Sequence, residues 1–235
     1  MNKFFLENYN DVFFSFRFLQ HYSFIDFAKY GYDWHPDWFS MVRDPVDKVI
    51  SWFYFMRAPF RLREAAKNSD NFEMPEFEYL EKDYNECVLS GDPECQYITN
   101  TDVEDEPGDH RSQIVHFCGH EPICRLFNNP GALQLAKANV EKYYKVVGIT
   151  EKTNETLAVL EDQMPEYFKG AQKLYHSHQE VVKFRYPNAH KKPVTEEVKQ
   201  LVRANFTLEV EFYEYLKQRL ENQFESLTLN YKNQP

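Results

Sequence analysis

The short run Trp38-Phe39-Ser40-Met41-Val42, ending in Arg43-Asp44-Pro45, constrains this chain more than any other stretch. It requires a strand to stop and a helix to start within three residues. The apolar and aromatic run suits a buried strand. Asp44 is a natural N-cap, and Pro45 is tolerated at the first helical position, where its missing N–H has no partner to lose. Val46, Val49, Ile50, Phe53 and Met56 then recur at helical spacing and are expected to face the core. Arg43 is left at the strand end, beside the positive end of the helix dipole, with Ser51 two turns along on a different face. A guanidinium at a helix mouth and a hydroxyl on the same helix can hold one phosphate from two sides. The same residues also fit a plain capped helix whose arginine pairs with Asp44 or Asp47, so residue chemistry alone leaves both readings open.

At 235 residues, 43% hydrophobic and 17% aromatic, the chain can build one substantial core, and a single globular domain is the default. No apolar run is long enough to span a bilayer, and no charged-then-apolar leader follows Met1. The net charge of -10 argues against a nucleic-acid partner. Its distribution is uneven. Acidic residues crowd into 73–86 and 102–109, whereas Arg57, Arg61, Arg63 and Lys67 form one basic group. His176, His178, Lys183, Arg185, His190, Lys191 and Lys192 form a second, and two such groups on an acidic body would suit a polyanion groove or, equally, solvated faces.

The four cysteines fall as two close pairs, Cys87 with Cys95 and Cys118 with Cys124, each separated by turn-forming residues that let the ends meet. An even count beside sequons at Asn154 and Asn205 fits an oxidising lumen. The competing reading is a zinc site of Cys118, His120 and Cys124 with Cys87 or Cys95, although the spacing lacks a CxxC.

Residues 11–18 alternate like a strand, with His21 just beyond it, and residues 23–29 suit a short helix. Residues 57–109 read as surface excursions with brief helices. Residues 131–144 have helical periodicity, 145–149 form a short buried strand, and Thr150 is expected to cap a helix reaching about Met164. Thr195 opens a helix toward Arg203, Asn205 caps another through Phe224, and residues 227–235 look like a tail. Strands alternating with helices point to an α/β domain with a largely parallel central sheet and helices on both faces.

The Arg43 segment resembles the nucleotide-binding segment of the sulfotransferases that use 3′-phosphoadenosine 5′-phosphosulfate (PAPS). In them a strand-end arginine and a helix serine hold the 3′-phosphate. The wider pattern resembles the uronosyl 2-O-sulfotransferases of glycosaminoglycan synthesis, in particular their Pipe-like branch. It is carried in order by residues 20–31 (Gln-His-Tyr-Ser-Phe-Ile-Asp-Phe-Ala-Lys-Tyr-Gly), Phe117-Cys118-Gly119-His120, Val146 to Glu151 and Phe168 to Ala171. The resemblance implies a P-loop-related sulfotransferase fold over residues 1–226, PAPS as donor with no metal, and two local disulfides in the pairing above. It further implies a Golgi-lumenal type II membrane protein anchored upstream, and a homotrimer reached through the C-terminal tail.

By the same resemblance Arg43 and Ser51 bind the 3′-phosphate, and Lys183 and Arg185 close over it from the late basic loop. His21 takes the proton from the acceptor hydroxyl, the role for which an imidazole is suited near neutral pH. Arg57, Arg61 and Arg63 would meet the acid groups of an acceptor glycan, while Trp52 or Tyr54 stacks on a sugar ring. The pattern departs from the family in three places. Leu19 stands where related enzymes often carry a second histidine, and the acceptor segment is rewritten around Ala58-Pro59-Phe60, leaving an acceptor other than heparan sulfate open. The 5′-phosphosulfate loop should precede Met1, so the sequence reads as a partial domain expected to turn over little. A glycan sulfotransferase polypeptide is the leading reading, and a non-catalytic scaffold of the same fold the alternative.

Overall fold

The computed structural model describes residues 23–68, 71–103, 111–177 and 191–232. The strand expected over 11–18, His21, Lys183 and Arg185 lie outside them. Two strands, β1 (Trp38–Val42) and β2 (Tyr144–Ile149), pair in parallel, with Phe39 opposite Val146 and Val42 opposite Ile149. All but one residue of β2 is buried, as expected for a parallel strand covered on both faces.

The helices are α1 (Pro45–Met56), α2 (Pro59–Asn68), α3 (Phe77–Glu81), α4 (Tyr84–Leu89), α5 (Ile114–Cys118) and α6 (Pro130–Tyr143). After β2 come α7 (Thr153–Gln163), α8 (Pro165–Phe168), α9 (Ala171–Ser177), α10 (Glu196–Asn205) and α11 (Thr207–Lys232). Many starts follow from capping chemistry. Asp44, Asp83, Asn129 and Thr195 each accept from a backbone N–H in the first turn, and Pro45 and Pro130 occupy first helical positions.

Two apolar clusters hold these elements together. The first gathers the sheet, α5, α6, α7 and α11 around Val146, Phe117, Leu133, Phe212 and Leu216. The second packs α1, α4 and α10 through Val46, Ile50, Phe53, Tyr84, Val198 and Phe206. Each fully buried large side chain contributes about 1.5–3 kcal/mol, so α1 is fastened chiefly by its apolar face rather than by helix propensity. That face is Val46, Val49, Ile50, Phe53 and Tyr54, with Met56 only half-buried.

Several local expectations differ from what forms. The helix expected over 23–29 is a single 3-10 turn, Phe27–Tyr30, capped by Asp26. Thr150 does not cap α7. Its hydroxyl instead donates to the Val42 carbonyl across the strand pair, and a 3-10 turn intervenes before α7. Asn205 ends α10 rather than capping α11. Its side chain turns back to the Leu201 carbonyl, while its own carbonyl accepts from Asn128. The last helix also continues past Leu227, which is buried in the first cluster, so residues 227–232 belong to α11 and are not a loose tail.

Both cysteine pairs are disulfides. Cys87–Cys95 ties α4 to the following turn with its Cα atoms 5.8 Å apart, and Cys118–Cys124 bridges the end of α5 to the turn before α6 with Cα atoms 5.5 Å apart. Sulfurs bonded to each other are not metal thiolates, which removes the zinc reading of these cysteines. Among the described residues no helix is long and apolar enough to cross a membrane.

Candidate functional site

Because β1 and β2 are parallel, their carboxyl ends emerge on the same side. Ligands of open α/β sheets bind outside such ends. Arg43 and Asp44 follow β1, while Thr150 and Glu151 follow β2, so the register brings residues over a hundred positions apart to one edge. Glu151 accepts from the Asp44 N–H at 3.1 Å and lies 3.9 Å from Arg43 Nε. Its other oxygen accepts from the Tyr213 hydroxyl of α11, and burial pushes that phenol above its usual range.

The two acidic residues that could have neutralised Arg43 are engaged elsewhere. Asp44 Oδ1 accepts from Val46 and Asp47 N–H groups as the α1 cap, while Oδ2 takes Arg203 of α10 at 2.6 Å. Asp47 faces Lys199 of α10 at 3.5 Å. Among the described residues Arg43 therefore keeps only the long contact to Glu151 as an ion pair, and about a third of its side chain remains exposed. Ser51 is half-buried on the stripe of α1 that includes Asp44, Asp47 and Lys48, the i, i+3, i+4, i+7 pattern of one helix face.

Lys191, at the end of the late basic segment, is brought close enough to feel Arg43. Burial, reinforced by the Arg43 charge and opposed by Asp47, holds its amine below the ordinary lysine range. A lysine whose charged form is disfavoured by burial and a neighbouring cation is relieved by an anion bound beside it. The edge thus gathers Arg43, Lys191, Lys199 and Arg203 from three separate segments, with carboxylates fixing their order.

Other candidates are placed differently. Arg57, expected at an acceptor surface, is buried. Its guanidinium donates to the Phe53 and Tyr79 carbonyls through Nη1 and Nε, donates through Nη2 to both oxygens of Glu94 at 2.7 and 2.8 Å, and lies over the Phe53 and Tyr79 rings. It fastens α1 to α3 and the Cys87–Cys95 turn. Tyr54 is buried as well, with its hydroxyl accepting from the Tyr84 N–H, so its ring faces the interior rather than a sugar. Trp52 is half-buried and stacks on Phe55, Arg61 is half-buried and Arg63 exposed. The two arginines sit on α2, beyond the far end of α1, which is about 18 Å long at 1.5 Å per residue. Both sequon asparagines, Asn154 and Asn205, are exposed.

Sequence reading missed Glu151, Gln113, Arg203 and Glu209. Gln113 bonds both backbone polar groups of Arg43, and Glu209 is a fully buried carboxyl pushed upward by desolvation. For Glu209 a signal existed, since it breaks the helical spacing of the buried apolar residues Phe206, Tyr213, Leu216 and Leu220 on either side of it.

The sequence profile of the sulfotransferase family matches residues 10–216. The chain is 38% identical over 212 residues to the uronyl 2-sulfotransferase homolog pip of Drosophila melanogaster, covering 89% of this chain and 41% of that protein. It is 29% identical to heparan sulfate 2-O-sulfotransferase 1 of Gallus gallus and 28% identical to that of Homo sapiens, each over 202 residues, 86% of this chain and 52% of the relative. The chain thus spans about half the length of the relatives it matches.

Proposed function

This chain belongs to the sulfotransferase family, and we propose that it serves sulfate transfer from PAPS to a hydroxyl of a uronic-acid-containing glycan, with the 2-O position favoured by its relatives' names. The observation that carries this reading is the Arg43 guanidinium at the carboxyl end of β1, held beside Lys191 with Asp44 and Asp47 already paired elsewhere. Such a place suits the 3′-phosphate of the donor. Ser51 adds a hydroxyl from the same helix, and Lys183 and Arg185 belong to the basic segment that includes Lys191.

In this mechanism the donor supplies an activated sulfuryl group, and the chain binds, orients and moves a proton. Arg43 and Ser51 grip the phosphate that does not react, so their binding energy positions the part that does. His21 accepts the proton of the acceptor hydroxyl as that oxygen attacks sulfur, and negative charge passes to the departing 5′-phosphate. Arg61 and Arg63 of α2 face the acid groups of the glycan. The two disulfides and the exposed Asn154 and Asn205 sequons support residence in the Golgi lumen, where glycans are sulfated. Assembly as a homotrimer follows the family pattern, and a monomer mass by light scattering would count against it.

Binding of 3′-phosphoadenosine 5′-phosphate tests the donor site. Arg43→Ala is expected to weaken it about ten- to a hundredfold, the loss of a charge-assisted hydrogen bond. Unchanged affinity would remove the site. The acceptor half is tested by transfer of 35S-sulfate to a desulfated uronic-acid polymer. The parent chain is expected to transfer slowly, and His21→Ala to lower even that rate about a hundredfold or more; a rate left unchanged would exclude His21 as base.

A further inference from the structure

The ladder between β1 and β2 ends at the pair Val42 and Ile149, so the backbone N–H and C=O of Arg43 lie just past the last strand partner. The side-chain amide of Gln113 takes both. Its Oε1 accepts from the Arg43 N–H at 3.0 Å, and its Nε2 donates to the Arg43 carbonyl at 2.8 Å. One planar amide replaces the missing strand neighbour and sets the backbone angles from which the guanidinium projects. Among the uncharged side chains only glutamine and asparagine offer donor and acceptor in one rigid fork.

Gln113 is itself held from behind. Its backbone N–H donates to Glu209 Oε2 at 2.8 Å, and Ser112 Oγ and the Ile114 N–H donate to Oε1 at 2.5 and 3.4 Å. Ser112 Oγ in turn accepts from the Val115 N–H, and the Ser112 carbonyl accepts from Lys48 of α1 at 3.2 Å. Ser112 and Gln113 are 4% exposed and Glu209 0%, so the bonds that Glu209 accepts form away from competing water. A buried carboxyl with this many donors is costly to place and stiff once satisfied. The path runs from α11 through the start of α5 to the end of β1, and it terminates on one residue.

We infer that Gln113, held by the buried Glu209, is a positioning residue that aims the Arg43 guanidinium at the 3′-phosphate of the nucleotide. The inference rests on the 3′-phosphate reading of Arg43, and the test separates the two. It compares calorimetric binding of 3′-phosphoadenosine 5′-phosphate with that of adenosine 5′-phosphate, which lacks the 3′ group, using the whole chain.

Gln113→Ala is expected to weaken the bisphosphate about tenfold, the scale of one or two hydrogen bonds, and to leave the monophosphate within about twofold. In the double variant with Arg43→Ala the loss should be no greater than for Arg43→Ala alone, since Gln113 acts through that residue. A general loosening of the fold would weaken both nucleotides alike. If Arg43→Ala leaves bisphosphate binding unchanged, the 3′-phosphate reading falls and this inference with it. If Arg43→Ala weakens binding while Gln113→Ala does not, or lowers both nucleotides equally, only the positioning role is overturned. Should Gln113→Ala fail to fold, Gln113→Glu keeps the acceptor for the Arg43 N–H and loses the donor to its carbonyl. It is expected to show the same selective loss, and equal losses for the two nucleotides would overturn the role.

Discussion

Arg43 and Arg57 show how differently one residue type behaves fourteen positions apart. The first ends a strand at an open edge, where a distant carboxylate leaves it able to meet an anion. The second is enclosed by two rings, two carbonyls and Glu94, so its charge belongs to the fold. Arg57→Ala is therefore expected to cost about 2–4 kcal/mol, because it strips partners from two carbonyls and from Glu94 together. Arg63→Ala, on the exposed face of α2, should change stability by less than about 0.5 kcal/mol. Urea denaturation of the two variants checks this, and equal midpoints would mean that Arg57 is not a structural fastener. Nothing in a basic group along the sequence separates these residues, because burial depends on which elements fold back over α1.

At the scale of elements, the contact between β2 and α7 is the tightest joint beside the site. A Cβ on Gly148 would lie 2.2 Å from the Thr156 Cγ2 methyl, and Thr156 cannot swing away cheaply. Its hydroxyl exchanges hydrogen bonds with both backbone groups of Ile149, at 3.0 and 3.2 Å. Gly148→Ala is thus expected to push α7 off the strand at a cost of about 1–3 kcal/mol, with Glu151 displaced along with it. A thermal melt identical to that of the parent protein would contradict this. The element pattern was largely legible in the sequence, since Asp44-Pro45 and Thr195 announce helix starts through local chemistry. Thr150 and Asn205 were misplaced because a hydroxyl or amide that looks like a cap will bond any carbonyl the tertiary fold brings nearer.

For the molecule as a whole, the two disulfides close loops too short to hold distant parts together, and each acts on a local joint. Each is expected to contribute about 2–3 kcal/mol by restricting the unfolded chain. Reduction should lower the melting temperature without dissolving the main cluster, whose residues come from both strands and four helices. A thiol titration of denatured, unreduced protein should find no reactive cysteine among the four, and four free thiols would overturn the pairing. By itself the sequence determined what depends on near neighbours. It specified the strand-to-helix turn at Arg43, the capped helix starts, and the ordered family segments that name the chemistry. Only the tertiary structure decided which arginine is available, which carboxylates stand beside it, and that Gln113 and Glu209 brace it from behind. Those residues lie about 70 to 170 positions from Arg43 in the chain, and their meeting is set by parallel strand register and helix packing, for which no local pattern of residues carries a signal.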